Sequence, residues 1–521
     1  MTTEEHAKQL DHSEIVSILT HNKKLAEENS DLKQQLAWLK KQLFGKKSEK
    51  RLEIATGATQ LSLGEVIHDE SEESAVKTVV VAEHERKANK KDFTDAVEDK
   101  GLRFDADVPV TTIVVPNKEV EGLEEGKDYE VISKKVTYRL AQKPAVYEVI
   151  KYERDVVKLK ESEKIVTAPA PEAVIETSIA DVSFLAGLLI DKFSYHLPLY
   201  RQHQRLSLNG ITISRQTLTN LVHRTADFLK PIYQAQLRSI VESAVLAMDE
   251  TPIKAGTKGD GKMKQGYFWP VYGDKDEVAF PYFASRAEAP IRAVLGEYCG
   301  TLVTDGYAAY ERYAQSNKSV VHAVCWAHLR RKFIEAESLE PELCRIALEH
   351  IGALYEVEAQ VKQTNRTGND KLDLRIKRSY PVAQKFFAWL SSAMGNLSLL
   401  DSNPFTKAAS YALKREHELK VFLTDPYVPI DTNHIERAIR PIPMGRKNWL
   451  FCMTEVGAEV VGIVQSLLFT CKLHGINPYT YLVDVLQRID NHPMSQVEML
   501  TPRLWKDNFA GNPMRAPLDL L

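Results

Sequence analysis

Two apolar stretches that each end in an acid constrain the fold of this chain more than any other feature. The first, SAVLAMDE, runs from Ser243 to Glu250, and the second, TLVTDGYAAY, runs from Thr301 to Tyr310 with its acid at Asp305. Two hairpin-like strand patterns and one helical pattern lie between them: Gly266 to Asp274, Val278 to Phe283 and Arg286 to Tyr298. The order strand, strand, strand, helix, strand, helix predicts a mixed α/β fold.

The acids of these strands are candidate metal ligands. Because the end of an apolar strand faces the mouth of a cleft, two adjacent strands would place Asp249 and Asp305 within reach of a shared cation. A third acid, Glu436, lies early in a predicted helix. Three converging carboxylates suit Mg²⁺, and two such ions about 3.5–4 Å apart promote cleavage of a phosphodiester. Each acid taken alone has an ordinary explanation as a solvent-exposed carboxylate, so the prediction depends on all three together.

Basic residues surround the third acid. Arg437, Arg440, Arg446 and Lys447 follow Glu436 and are predicted to hold DNA phosphates, a salt-sensitive contribution that is independent of base sequence. The chain as a whole gives no such indication, because 68 Lys+Arg against 71 Asp+Glu leave a net charge of -3. Binding of nucleic acid would therefore require a local patch.

Length and composition predict a cytoplasmic protein of three or four domains. The chain has 521 residues, of which 44% are hydrophobic and 27% charged, as is typical of soluble globular proteins. No uncharged apolar stretch reaches the roughly 20 residues that span a bilayer, and the N-terminal segment is too polar for a secretory signal. The five scattered cysteines form no CxxC pair, which argues against a disulfide framework and a four-cysteine zinc site.

Residues 12–44 carry a heptad repeat. Apolar residues recur every seven positions from Ile18 to Leu39, and Asn22 and Asn29 fall at a positions, which favours a two-stranded parallel coiled coil. We therefore predict a homo-oligomer that is at least a dimer, with a lone amphipathic helix as the alternative. Residues 45–100 contain an acidic and a basic run and are predicted to be a solvated linker, or alternatively an arm that touches DNA.

Two regions between this linker and the first acid have clear local patterns. Residues 101–166 alternate β-branched and polar side chains, which predicts a small β-rich domain. Residues 175–235 predict a helix, a tight turn at Asn209 and Gly210, and a second helix capped by Ser214, in the manner of a helix-turn-helix. A helical hairpin that binds nothing is the alternative. Exposed side chains at the start of the second helix suit phosphates and base edges in a major groove: Arg215, Gln216, Thr217 and Asn220.

Four sequence blocks resemble the signature blocks of the insertion-sequence-66 family of bacterial transposases. They are MDETPIK (Met248 to Lys254), VTDGYAAY (Val303 to Tyr310), CWAHLRRKF (Cys325 to Phe333) and NHIERAIRPIPMGRKNWLF (Asn433 to Phe451). The leucine-zipper segment, the HLPLYRQ block and the closing INPYTYLVDVLQRIDNHP agree as well, so the resemblance spans nearly the whole chain. It implies a DDE transposase with an RNase H-like core, in which Asp249, Asp305 and Glu436 are catalytic and bind two Mg²⁺ ions, or Mn²⁺ in their place.

The predicted fold is therefore a multidomain α/β chain with an RNase H-like catalytic core. Asp305 and Glu436 are 131 positions apart, which exceeds the length of one crossover helix, and the helical patterns between them predict an all-α insertion. The predicted order is a first part of the core (241–334), the insertion (335–425), a second part with the catalytic Glu (426–475) and a C-terminal helical segment (476–521).

The resemblance also bears on zinc. It places His328 and Arg331 near the catalytic pocket, where we expect them to contact DNA, while Cys325 is predicted to pack in the interior. A zinc site of His322, Cys325 and His328 is the weaker alternative, because structural zinc requires four ligands. Relatives usually carry a cysteine-rich zinc-binding segment after the coiled coil, but no cysteine precedes Cys299. We expect this module to be absent and the β-rich domain to rely on hydrophobic packing.

The function implied by the resemblance is DNA transposition in the bacterial cytoplasm, close to the nucleoid. A metal-activated water would cut the element end and release a 3′-hydroxyl, which would then attack the target DNA. The partners would be double-stranded DNA, further copies of this chain and two small accessory proteins, beside which relatives are often encoded. An RNase H-like nuclease that cleaves without joining is one alternative. A catalytically silent, transposon-derived DNA-binding regulator is the other.

Overall fold

The computed structural model describes most of the chain after residue 101. The described residues are 102–104, 108–143, 146–160, 163–171, 173–176, 178–259, 262–396 and 399–520, together with His21. The predicted coiled coil (12–44) and linker (45–100) lie outside them. Of the chain's two units, residues 1–92 and 93–521, the second carries the sheets and helices that surround the acids.

A four-stranded sheet forms where the alternation predicts strands. β1 (Arg103–Phe104) precedes this sheet and is not part of it. The four strands of the sheet are β2 (Val110–Val115), β3 (Tyr129–Lys143), β4 (Val146–Leu159) and β5 (Ile165–Thr167). β3 and β4 form a long antiparallel hairpin, to which β2 adds in parallel and β5 antiparallel. One face buries Leu140 and Val149 in the main core of the protein, and the other buries Ala141 and Ile150 with Leu518. Apolar packing on both faces therefore stabilises this sheet.

The two helices of the predicted helix-turn-helix are present. The chain continues through α1 (Val182–Phe193), α2 (Leu199–Leu208), β6 (Ile211–Thr212) and α3 (Arg215–Val241), and β6 pairs with β1. Gly210 has a φ of 74°, a conformation that glycine adopts without strain in the tight turn after α2. The Ser214 Oγ accepts a hydrogen bond of 3.0 Å from the Thr217 amide, which confirms the predicted cap. Leu218 and Val222 are buried, as their helical spacing predicts.

The region of the two apolar runs folds into two sheets. Its strands are β7 (Val245–Met248), β8 (Thr251–Thr257), β9 (Met263–Phe268), β10 (Val271–Tyr272), β11 (Val278–Ala279), β12 (Tyr282–Phe283), β13 (Gly300–Thr304) and β14 (Val320–Val324). The larger sheet has the order β11-β10-β7-β13-β14. Its first three strands are antiparallel neighbours, whereas β13 and β14 run parallel to β7. The smaller sheet, β12-β9-β8, is antiparallel throughout.

The two sheets are continuous in register. Met248 pairs with Val271 in the larger sheet, and Thr251 pairs with Phe268 in the smaller one, so β7 and β8 face β10 and β9 as two halves of one long hairpin. The Asp249 amide bridges the gap by donating to the Pro270 carbonyl at 3.3 Å. The first apolar run thus ends as a strand at Met248, directly before its two acids, and these acids occupy the break between β7 and β8 in a longer strand pair.

Helices cover both faces of the larger sheet and form the insertion. The core helices are α4 (Ala289–Leu295), α5 (Ala308–Ser316) and α6 (Trp326–Ala336). The insertion contains α7 (Pro341–Gln363), α8 (Gly368–Leu374), a π-helical turn (Arg375–Ser379), α9 (Tyr380–Asn396), α10 (Pro404–Lys414), α11 (Glu416–Lys420) and a 3₁₀ turn (Val421–Leu423). Its described residues contain helices and no strand.

Helices form the rest of the described chain after the insertion. These are α12 (Asn433–Ile439), α13 (Pro441–Trp449), α14 (Glu455–Leu473), α15 (Pro478–Arg488) and α16 (Pro502–Asn508), with 3₁₀ turns at Met494–Leu500 and Pro517–Asp519.

Helix α14 is the central helix of the main core. Gln236 of α3 donates hydrogen bonds to the Val278 carbonyl at 2.8 Å and to the Thr470 hydroxyl at 2.9 Å, which joins α3, β11 and α14. Gly462 allows α14 to approach β11 closely, because a Cβ there would lie 2.3 Å from the Phe280 carbonyl. Among the described residues α14 is the one helix long and apolar enough to cross a membrane. Most of it is buried inside the protein, as expected for a core helix.

Candidate active site

Asp249 and Asp305 lie side by side at the carboxyl ends of two parallel strands. Asp249 directly follows β7 and Asp305 directly follows β13, and these strands pair with Val303 opposite Ala247. Continued by two residues, the same register sets Asp305 opposite Asp249. The Asp305 carboxylate accepts a hydrogen bond of 2.8 Å from the Tyr307 amide. The structure therefore brings these two acids to neighbouring strand ends.

Glu436 reaches the same end of the sheet on helix α12. Just before this helix, the Thr432 amide donates a hydrogen bond of 3.2 Å to the sulfur of Cys325, the residue that directly follows β14. In the first turn of the helix, the His434 ring packs edge-on against Tyr272 of β10, with ring centroids 4.8 Å apart. Because β14 and β10 lie on opposite sides of β7 and β13, α12 crosses the sheet near the two aspartates.

Two basic side chains of α6 face Glu436. The Arg331 Nη2 lies 3.3 Å from one carboxylate oxygen, and the His328 Nε2 lies 3.7 Å from the other. That second oxygen, Oε1, is buried and accepts no hydrogen bond from any described residue. The structure thus brings His328 and Arg331 to the third acid, and it leaves one carboxylate oxygen without a donor.

The acids share one electrostatic environment. Burial raises the pKa of Asp249 to about 8, and the negative charges of Asp305, Glu250 and Glu436 add to this effect. A cation would relieve this repulsion, and carboxylate oxygens are the ligands that hard cations prefer. The residues therefore fit a divalent ion chemically. Among the described residues, however, no three His, Cys, Asp or Glu side chains are grouped tightly enough to hold a metal as they stand; Glu436 is paired with Arg331.

The raised pKa of Asp249 predicts an unusual pH dependence of stability. An aspartate loses its proton near 3.8 in the unfolded chain but near 8 in the fold. Between these values the folded state holds the extra proton, so the free energy of unfolding falls as pH rises. We expect Asp249→Asn to remove this loss, so that the variant is more stable than the metal-free wild type and the difference grows up to about pH 8. Urea unfolding across this window measures it, with the exposed Asp507→Asn as control; parallel profiles for all three proteins would contradict the assignment.

Glu250 is a site residue that the sequence analysis leaves without a role. Its side chain is 3% exposed and accepts hydrogen bonds from Arg286 Nε at 3.0 Å and from the Tyr310 hydroxyl at 3.0 Å. Arg286 also lies over the Tyr307 ring, 4.5 Å from its centroid. Glu250 thus has its own counter-ion, whereas Asp249 has none among the described residues. The only sequence signal was the second acid of the MDE triplet.

The loop of Asp305 is held by the insertion. The Tyr411 hydroxyl of α10 donates to the Asp305 carbonyl at 2.6 Å, and Arg415 donates to the Gly306 carbonyl at 3.3 Å. From the other side, His322 and the buried Thr304 hydroxyl share a hydrogen bond of 2.9 Å. The insertion therefore contributes directly to the position of a catalytic candidate, which no local pattern indicated.

The block after β14 packs as predicted. Cys325 and Trp326 are completely buried, and the Trp326 indole donates to the Leu419 carbonyl at 2.7 Å. Cys325 accepts its hydrogen bond from a backbone amide. These two residues have structural contacts rather than an opening toward a ligand.

The predicted phosphate-binding cations follow Glu436 along α12 and α13. Arg437, Arg440 and Lys447 are exposed, and no described residue forms an ion pair with them. Arg446 differs, because its guanidinium donates to the Pro252 carbonyl at 2.5 Å and thereby joins α13 to β8. Three of the four cations are thus available to a polyanion beside the acids.

The predicted DNA-reading residues occupy the first turns of α3. Arg215, Gln216 and Asn220 are exposed and Thr217 is partly exposed. Gln216 donates to Asn220 at 2.9 Å, and Arg215 lies 5.7 Å from the centroid of the Tyr200 ring. No hydrogen bond or ion pair between described residues joins this group to the acids, so it forms a separate surface.

Three family models match separate parts of the chain and together cover most of it. The model of the "Transposase IS66 family" matches residues 177–460 and therefore contains all three acids. The "IS66 C-terminal element" matches residues 466–502. A model described as "Transposase C of IS166 homeodomain" matches residues 31–110, which include the end of the predicted coiled coil and the predicted linker.

Three curated proteins of Sinorhizobium fredii are similar to the chain over most of their length. Uncharacterized protein y4jD is 31% identical over 67% of this chain and 70% of its own. Uncharacterized protein y4hP is 30% identical over 75% and 74%, and uncharacterized protein y4qI is 29% identical over 74% of each chain.

Proposed function

Because the chain belongs to the IS66 family of transposases, we propose that it cuts DNA at the ends of an insertion element and joins them to target DNA through Asp249, Asp305 and Glu436. The observation that carries this proposal is the meeting of Asp249 and Asp305 at adjacent strand ends, with the helix of Glu436 crossing the same edge. All three lie inside the region that the transposase model matches.

The topology of the larger sheet supports an RNase H-like core. Its order is β11-β10-β7-β13-β14, in which the first three strands are antiparallel neighbours and the last two run parallel to β7, a mixed sheet of the kind that an α/β catalytic core requires. Fold alone does not establish a reaction, so the argument for catalysis depends on the acids and not on the sheet.

Asp249, Asp305 and Glu436 would hold the divalent ions, Mg²⁺ or Mn²⁺, two in each site. Bound ions would activate the attacking oxygen and stabilise the leaving oxygen of the phosphodiester. The Glu436 Oε1, which accepts no hydrogen bond from any described residue, and the raised pKa of Asp249 support these ligands. Glu250 neutralises Arg286 and keeps this cation beside the acids, while Tyr307 fixes the orientation of the Asp305 carboxylate through its amide.

DNA contacts would come from several surfaces. Arg437, Arg440 and Lys447 would hold backbone phosphates next to the cut, with Arg446 positioning their helix against β8. His328 and Arg331 would approach the same phosphates from α6. Binding to element ends would involve the start of α3 and the homeodomain-like region at residues 31–110. Dimerisation through residues 12–44 and help from two small accessory proteins remain part of the proposal.

A strand-transfer assay tests the proposed function. The full-length protein is incubated with DNA that carries the ends of its element, with target plasmid and with Mg²⁺ or Mn²⁺. We expect cleaved ends and joined products. Cleavage without joining would identify a nuclease instead, and DNA binding without cleavage would identify a silent regulator.

Gly306→Ala is expected to reduce cleavage about 10- to 100-fold without weakening DNA binding. Gly306 has a φ of 78°, and an added Cβ would lie 2.6 Å from the Tyr411 hydroxyl. The substitution therefore strains the backbone and pushes away the group that holds the Asp305 carbonyl. Gly511→Ala is the matched control, because nothing lies within 4 Å of its added Cβ. Equal cleavage rates for the two variants would show that the loop position does not matter.

A further inference from the structure

An exposed apolar surface follows helix α13. Leu450 is 64% exposed, Phe451 37%, Met453 67% and Val456 55%, and we call these four residues the apolar tip. Single exposed apolar side chains are common on proteins, but contiguous ones mark sites of interaction. The acids, the helix-turn-helix surface and the predicted cations do not account for this tip.

The apolar tip is held rigidly. The Phe451 amide donates to the Trp449 carbonyl at 2.7 Å across Leu450, whose φ is 63° and ψ is -54°, which is a strained γ-turn. The next residue, Cys452, is buried, and its amide donates to the Lys254 carbonyl at 2.9 Å. The tip is thus fastened to β8, so its exposure does not result from a loose loop.

Lysines surround the apolar tip. Lys254, Lys258, Lys262 and Lys264 are exposed on the β8–β9 hairpin to which the tip is fastened, and Lys447 is exposed one turn before it. Lys264 forms an ion pair of 3.1 Å with Glu455. Among the described residues, the acids of this surface are Glu455 and Glu459. No described residue forms an ion pair with the other four lysines. This surface has an apolar centre and a largely cationic rim. It therefore complements a polyanion whose charged backbone encloses apolar, stacked bases.

We propose that this surface binds duplex DNA beside the cleaved phosphate, with the lysines on backbone phosphates and the apolar tip inserted against an opened base step. The inference rests on the proposed function and adds a second contact to it. Inserted Phe, Leu and Met side chains unstack base steps in other DNA-binding proteins, while lysines supply the salt-dependent part of the affinity. A fixed turn favours such an insertion, because the inserting side chains are already held in place and need not be ordered when DNA binds.

The distance along β8 between Asp249 and the apolar tip predicts which base step of the DNA the tip contacts. Lys254, to which the tip is bonded, is five residues beyond Asp249 in a chain that rises about 3.3 Å per residue. The tip therefore lies roughly 16 Å from the acids along this strand, which corresponds to about five base pairs at 3.4 Å each.

The test uses full-length protein without divalent ions and an element-end duplex with 2-aminopurine at successive positions. We expect wild-type binding to raise the fluorescence most at about five base pairs from the cleaved phosphate. Met453→Ser should lose this rise and bind about tenfold more weakly, with an unchanged salt dependence. Met494→Ser is the matched control, since Met494 is 59% exposed in the C-terminal segment.

The contribution of the lysines around the tip is measured separately, by the salt dependence of DNA affinity. Lys258→Gln should reduce the slope of log affinity against log salt by about 0.9, whereas the exposed control Lys318→Gln should leave it unchanged. Wild-type protein that binds without a fluorescence rise, or that does not bind, would overturn the inference, as would Met453→Ser binding like its control. A change in the assembly state of Met453→Ser with normal DNA binding would assign the tip to a protein contact. Failure of the proposed function looks different: the fluorescence rise persists, but no cleavage follows when Mg²⁺ is added.

Discussion

Asp249→Asn, Asp305→Asn and Glu436→Gln are each expected to reduce strand cleavage by a factor on the order of 10³ or more, with DNA affinity retained. Each change removes one negative oxygen from the site while keeping the size of the side chain. The measurement is cleavage of element-end DNA with Mg²⁺ or Mn²⁺, together with a mobility shift that reports binding.

The control for these variants is Asp507→Asn, an exposed acid on α16 that should cleave like wild type. Loss of fold cannot explain an inactive Asp249→Asn, because this variant is expected to be more stable than the metal-free wild type at neutral pH. Wild-type cleavage by any of the three variants would remove that acid from the catalytic set.

Arg375→Leu is expected to lower the free energy of unfolding by about 3–5 kcal/mol. Arg375 lies in the π-helical turn of the insertion with a side chain that is 0% exposed, and both its Nε and Nη2 contact Glu358 at 2.8 and 2.9 Å. Its Nη1 also donates to the Phe422 and Val428 carbonyls. The substitution leaves the Glu358 charge and these carbonyls without their partner. Urea unfolding followed by helix circular dichroism measures the loss.

The matched control is Arg345→Leu on helix α7. Like Arg375, Arg345 forms ion pairs, here with Glu342 and Glu349, but all three side chains are exposed, so its removal should leave the free energy of unfolding unchanged. Similar unfolding curves for Arg375→Leu and Arg345→Leu would show that the buried pair does not stabilise the insertion.

The sequence predicts those parts of the fold that follow from local pattern. Apolar runs predict β7 and β13, and because the two strands were expected to be neighbours in one sheet, Asp249 and Asp305 were expected to lie close together. That the two strands run parallel is seen only in the structure. The cap at Ser214 and the helices of the insertion were also predictable, since capping and helical periodicity are local properties.

Long-range contacts account for what the sequence did not predict. β14 (Val320–Val324) was missing from the predicted order, although SVVHAV is short and rich in valine, as many strands are. β8 was not recognised, because Pro252 and Gly256 interrupt an otherwise alternating strand that only pairing with β9 reveals. The roles of Glu250 and Tyr411 depend on partners that are 36 and 106 positions away in the chain, and no periodicity encodes such pairs.

The hold of Tyr411 on the Asp305 backbone has a consequence during protein synthesis. A nascent chain that has just passed Asp305 carries both aspartates, yet Tyr411, which holds the Asp305 carbonyl, and Glu436 on α12 are still to be translated. A truncated product that ends before α10 is therefore expected to leave chromosomal DNA intact. Under the proposed function, the late position of the insertion would make cutting of DNA a property of the finished polypeptide only.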